Sequence, residues 1–171
     1  MNQKENKVKR IKQRQSSFSA IFALFAQHSK LHNEYWSIAE ELEEVHLKAW
    51  LHRLGNFHDQ QRDQLQELLH ILPEAPVKLA EESKTYLDKR ENELIKALNA
   101  ENQFDILQLV GRAEQSLYDE YSNALKLETL VDEVKEKLTE QHAVMLRNLR
   151  KVQRVSSISS VKSLKAVLAK N

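Results

Sequence analysis

The sequence predicts an all-α fold: a four-helix bundle with one additional helix and basic arms at both ends. Three observations carry that expectation. The 171 residues include only two Gly and two Pro, while Leu, Glu, Lys, Gln and Ala abound, so little turn chemistry is left for a sheet. Apolar residues recur in steps of three and four in four separate segments, the spacing that keeps side chains on one helical face. Charge is segregated: residues 1–15 carry +5, residues 147–171 carry +7, and with +1 overall the body between them holds −11. A chain of this length is expected to form one domain with a substantial core.

Residues 1–15 are poor in apolar side chains and crowded with like charges, which suggests a flexible basic arm. The bundle is then expected over 16–154, with a basic, Ser-rich extension at 155–171. Ser16 or Ser17 suits the cap of a first helix, Phe18–Leu42. Its inward stripe reads Phe18, Ile21, Phe25, His28, His32, Tyr35, Ala39 and Leu42, widened by Phe22 and Trp36. Carried beyond Leu42 in the same phase, the stripe turns polar. A shifted phase restores it as Leu47, Leu51, Leu54, His58, Gln61, Leu65, Leu68 and Leu72, so a tight reversal is expected at Glu43–Glu44. Pro73 and Pro76 end this second helix.

A third segment, Val77–Leu98, has a thin stripe and reads as a crossover or surface helix. If it runs the length of the bundle, the two basic arms lie at opposite poles; if it is short and lateral, they share one. A fourth helix places Leu107, Val110, Glu114, Leu117, Tyr121 and Ala124 inward. Gly55 and Gly111 fall inside helices, at a cost of about 1 kcal/mol each relative to Ala, which suggests close helix approach. Thr129 and Asp132 resemble a capping box opening the last core helix. Its seam runs Val131, Val134, Leu138, His142, Met145, Leu149 and Val152. Beyond Val155, Ile158, Val161, Leu164 and Leu168 recur at helical intervals, as a frayed continuation or as an amphipathic tag.

The middles of the four full stripes hold polar residues: His28 and His32, then His58, then Glu114, then His142, with Tyr35, Gln61 and Tyr121 flanking them. Antiparallel helices of similar length bring their midpoints to one level. Buried imidazole and carboxylate are costly unless paired. Two arrangements would satisfy them. One is a divalent metal, zinc or iron, held by the four imidazoles and Glu114. The other is a hydrogen-bonded network that fixes helix register without an ion.

The stretch Ile106–Tyr121 with Ala124 and Leu125, supported by Gln141, His142, Leu149 and Arg150 and by residues 32–39, resembles the ferritin-like superfamily. More narrowly it is similar to the bacterial family of unknown function DUF2383, over roughly residues 18–153. The resemblance implies a ferritin-like four-helix bundle with the third segment as crossover. Di-iron members of the superfamily take a Glu from two helices and Glu-x-x-His from the other two. Glu114 fits one such place, but His32 stands where a carboxylate is expected, and Thr139 lies three before His142. A mononuclear, His-rich site suits this chain better than a di-iron centre.

Two functional readings follow. The first is a metal-binding bundle with no catalytic residue assigned. The second is a metal-free interaction or structural bundle whose arms, through Lys7, Lys9, Arg10, Lys12, Arg14, Arg150, Lys151 and Arg154, bind nucleic acid, an anionic membrane surface or acidic partners. The arms lack aromatic residues for base stacking, which weakens the nucleic-acid reading. Homo-oligomers through helix faces are a further expectation. With no Cys, disulfides and thiolate metal sites are excluded. No apolar run approaches a membrane span, no secretory signal is visible, and a cytoplasmic location is expected. Nucleophile triads, phosphate loops and dinucleotide fingerprints are missing from the sequence.

Overall fold

The computed structural model describes residues 3–72, 103–158 and 161–170, helical throughout apart from short turns. Among the described residues there are five helices: α1 (Gln3–Glu41), α2 (Val45–Ile71), α3 (Gln103–Leu125), α4 (Asp132–Ser156) and α5 (Val161–Leu168). The crossover expected at Val77–Leu98 lies outside the described residues.

The first helix starts far earlier than the sequence suggested. Residues 3–15, expected as a flexible arm, continue α1 as a single helix of 39 residues. Lys, Arg, Gln and Glu are good helix formers, and extending an anchored helix costs far less than nucleating one. Ser17 is therefore not a helix cap. Its hydroxyl instead accepts from the Val131 amide at 2.9 Å, tying α1 to the start of α4. The reversal at Glu43–Glu44 is present: α1 ends at Glu41, and the Glu44 side chain caps α2 by accepting from the Leu47 amide. The expected capping box at Thr129 and Asp132 is not formed. Val131 is the N-cap of α4 without a side-chain bond, and Asp132 and Glu133 in the first turn face the positive end of the helix dipole.

Cross-bundle hydrogen bonds fix the direction of each helix. Along α1, His28 meets Tyr121 and Tyr35 meets Glu114, so α3 runs antiparallel to α1. His28 also meets His58 while Glu40 meets Lys48, so α2 is antiparallel to α1 as well. Along α4, Gln141 meets Tyr121 and Asn148 meets Glu114, which makes α4 antiparallel to α3. Neighbours α2 and α3 are thus parallel: α2 ends at one pole and α3 begins at the other. Ser17 lies beside Val131, and Ser156 lies beside Gln108 and Gly111, so the two basic ends sit at opposite poles.

All eight inward residues read for α2, and all six for α3, are buried. On α1 a second stripe, Leu24, Leu31 and Ile38, is buried beside the expected one, while Trp36 stays 38% exposed. The Trp36 indole lies across Gly55, where an added Cβ would come within 2.5 Å of Cδ1, and it packs on His52 at 4.3 Å between ring centroids. The close approach inferred at Gly55 is therefore real. The C-terminal extension is neither frayed nor free: α5 folds back, buries Leu164 and Leu168, and receives an Arg53 hydrogen bond on the Leu168 carbonyl.

Candidate functional site

Three of the five candidate ligands meet at mid-bundle. His28 from α1, His58 from α2 and Glu114 from α3 are each fully buried. The two Nδ1 atoms of His28 and His58 are 2.9 Å apart, and His58 Nε2 lies 2.7 Å from Glu114 Oε1. Tyr35 donates its hydroxyl to the same oxygen at 2.8 Å, and Asn148 donates its amide to Oε2 at 2.8 Å. On the other side, His28 Nε2 is 2.8 Å from the Tyr121 hydroxyl, which donates to Gln141 Oε1 at 3.2 Å. Gln141 closes the row by donating to the Gln61 carbonyl and to Gln64. The result is a continuous relay from Gln64 to Asn148 through all four core helices.

Proton positions in this relay follow from one unambiguous acceptor. A backbone carbonyl cannot donate, so the Gln141 amide nitrogen must face Gln61 and its oxygen must face Tyr121. Tyr121 therefore spends its proton on Gln141 and must accept from His28 Nε2–H. One proton lies between the two Nδ1 atoms and one between His58 and Glu114. His28, His58 and Glu114 together thus hold three protons, one more than two neutral imidazoles and a carboxylate, and the trio is uncharged overall. Burial, and secondarily the neighbouring His58, holds His28 well below the usual histidine range. His28 is accordingly the neutral ring, and the extra proton belongs to the His58–Glu114 pair. Three donors converge on the Glu114 carboxyl, from Tyr35, His58 and Asn148, which is the pattern of an ionised carboxylate. Burial also pushes the Tyr121 phenol up, so it stays protonated as the relay requires.

The remaining candidates stand apart. His32 lies one turn from His28 but about 40° further round the helix, and its Nδ1 donates to the Gly55 carbonyl at 2.9 Å. His142 sits on the flank of α4, stacked on Tyr118 at 4.5 Å, with Nε2 2.9 Å from the Ser122 hydroxyl. Gln141, one residue earlier, takes the buried place expected of His142. Gln61 is buried, but its contribution is its backbone carbonyl; its side-chain Oε1 has no hydrogen-bond partner among the described residues. Tyr35 and Tyr121 flank the layer as expected. Asn148, Gln141 and Gln64 belong to the relay although the sequence reading gave them no role.

The donor set does not fit a metal ion as arranged. All four ring nitrogens of His28 and His58 are engaged with each other, Tyr121 and Glu114. Two nitrogens on one tetrahedral zinc stand about 3.3 Å apart, given bonds of about 2.0–2.1 Å, whereas these Nδ1 atoms face each other at 2.9 Å. Among the described residues, no group of three or more His, Asp and Glu is placed to hold an ion.

The basic candidates Lys7, Lys9, Arg10, Lys12 and Arg14 on α1, and Arg150, Lys151 and Arg154 on α4, are all exposed. Between the α1 extension and the α3–α4 turn lies an open groove of about 620 Å³ lined by Lys4, Val8, Lys9, Lys12, Glu128 and Thr129. Among the described residues, no helix is long and apolar enough to cross a membrane. In comparisons with known proteins, the chain matches no family model, no curated protein and no solved structure.

Proposed function

We propose that this chain is a metal-free helical scaffold of ferritin-like connectivity, as its resemblance to DUF2383 implies, and that its α1 extension attaches it to an anionic lipid surface. The observation carrying this reading is the extension itself. Beyond Ser17 it stands clear of the core and exposes Lys4, Lys7, Lys9, Arg10, Lys12 and Arg14 around Val8 and Ile11, which are 52% and 47% exposed. Each cation near an anionic leaflet contributes about 1 kcal/mol, and interfacial burial of the two apolar side chains adds to that attraction. Nucleic acid is the weaker partner, because residues 1–17 contain no aromatic side chain to stack on a base. The closed relay supports the metal-free part: its polar groups are satisfied by one another and need no ion.

Co-sedimentation with vesicles containing about a third phosphatidylserine tests the reading. Binding is expected at about 50 mM salt, is lost near 500 mM, and is absent with neutral vesicles, because screening shortens the reach of the charges. Removing residues 1–15 should abolish it without lowering the melting temperature. Val8→Asn with Ile11→Asn should weaken it while leaving its salt dependence. Retention on duplex DNA without vesicle binding would replace this reading with a nucleic-acid one. A rise in melting temperature on adding zinc or iron(II) would restore the metal centre, since binding to the folded state stabilises it.

A further inference from the structure

The outer face of α4 carries charges in an order the bundle does not use. Glu133, Glu140, Arg147 and Arg154 recur every seven residues on this exposed face, and Glu136 and Lys151 stand one turn inside the ends. Acids fill the first half and bases the second. The order is antisymmetric about the point between Ala143 and Val144. Glu133 is as far from it as Arg154, Glu136 as Lys151, and Glu140 as Arg147.

The helix dipole accounts for only part of this. It favours acids at the start and bases at the end, but its influence fades within the first and last turns. Glu140 and Arg147 lie eight and nine residues inside the ends of α4. Nor do they pair with each other, being two turns, about 10 Å, apart along one helix. The ion pair that Glu140 does make, with Lys137 at 3.0 Å, is exposed on both sides.

We propose that this face docks a second copy of the chain, with the two α4 helices antiparallel about a two-fold axis at Ala143–Val144. In that register Glu133 faces Arg154 of the second copy, Glu136 faces Lys151 and Glu140 faces Arg147, each pair occurring twice, as an isologous interface requires. A parallel arrangement would set acid on acid and base on base. Ala143, small and exposed at the axis, permits close helix approach, and half-buried Val144 supplies apolar contact beside it. Lys137 and Arg150 are also equidistant from the axis. They lie about 140° apart around the helix and so occupy opposite flanks of the contact. Exposed ion pairs are weak and screened by salt, so the dimer is reversible and strongest at low ionic strength.

Sedimentation velocity on the full chain, about 100 µM and at about 50 mM salt, should give twice the 20.0 kDa chain mass, reverting to the monomer near 500 mM. Glu136→Lys and Lys151→Glu should each weaken association about tenfold or more, because each sets two like-charged pairs face to face. Combined, they should restore it, since both reversed residues again face opposite charge. The mismatched combination Glu136→Lys with Arg147→Glu should not restore it. All the substituted side chains are exposed, so melting temperatures should be unchanged, which separates lost docking from lost folding. Vesicle binding through α1 should also persist in these variants. A monomer at low salt, a dimer indifferent to the single changes, or failure of the compensating pair to recover would each overturn the proposal.

Discussion

Replacing Glu114 by Ala is expected to cost about 3–5 kcal/mol of folding stability, the range for removing one partner of a buried ion pair. The side chain is fully buried and accepts from His58, Tyr35 and Asn148. Its removal leaves those donors without an acceptor and out of reach of water, at about 1–3 kcal/mol for each one stranded. For a chain of this size each kcal/mol moves the melting temperature by about 2–4 °C, so a fall on the order of 10 °C is expected. Glu114→Gln retains the shape and one acceptor oxygen and should cost less. Changing His58 and Glu114 to Leu together should cost less than the sum of the single changes, because neither then strands the other. Urea unfolding of the five variants, Glu114→Ala, Glu114→Gln, His58→Leu, Glu114→Leu and the double Leu change, measures these differences. A loss below about 1 kcal/mol for Glu114→Ala would mean that the relay contributes little to the fold.

The helices were readable where burial is one-sided. On α2 and α3 the apolar residues fall on a single stripe, and every inward position read from the sequence is buried. On α1 the reading was incomplete because the helix is covered on more than one side. Leu24, Leu31 and Ile38 recur every seven residues, a second seam that a search for one stripe passes over. The N-terminal arm was misread for a different reason. Like charges argue against an isolated helix, but residues 3–15 extend one already anchored by Phe18, Ile21 and Leu24, so no nucleation cost arises.

The polar layer was visible as a level but not as a circuit. Placing mid-stripe residues at one height correctly brought His28, His58 and Glu114 together, with Tyr35 and Tyr121 beside them. Periodicity could not choose between Gln141 and His142, because either keeps the three-four rhythm between Leu138 and Met145. Rotation decides it: Gln141 points between α2 and α3, and His142 points along the flank to Tyr118 and Ser122. Asn148 has no stripe to betray it. It is half-buried at the edge of α4 and becomes part of the site only because Glu114 lies opposite.

Acid should weaken the fold through His28 before the carboxylates respond. In the folded chain, burial and, secondarily, the neighbouring His58 hold this imidazole well below the usual histidine range. In the unfolded chain it returns to about 6.5. As pH falls below that value, the unfolded chain binds a proton that the folded chain refuses, so stability falls with pH. The contribution is complete above about pH 6.5 and is lost progressively from there down towards the folded value, with a limiting slope of about 1.4 kcal/mol per pH unit. Unfolded Asp and Glu titrate near pH 4, so between about pH 6.5 and 5 the histidines dominate, and comparison with a His28 variant separates its share from that of the other six. Urea unfolding across that interval should show declining stability in the native sequence and a shallower decline in His28→Gln, which has no imidazole to charge. Nitrogen NMR of the ring gives the direct check: at pH 6 His28 should remain neutral, with Nε2 protonated towards Tyr121 and Nδ1 accepting from His58. An imidazolium at His28 at that pH, or stability flat down to pH 5, would refute the proton assignment on which the relay rests.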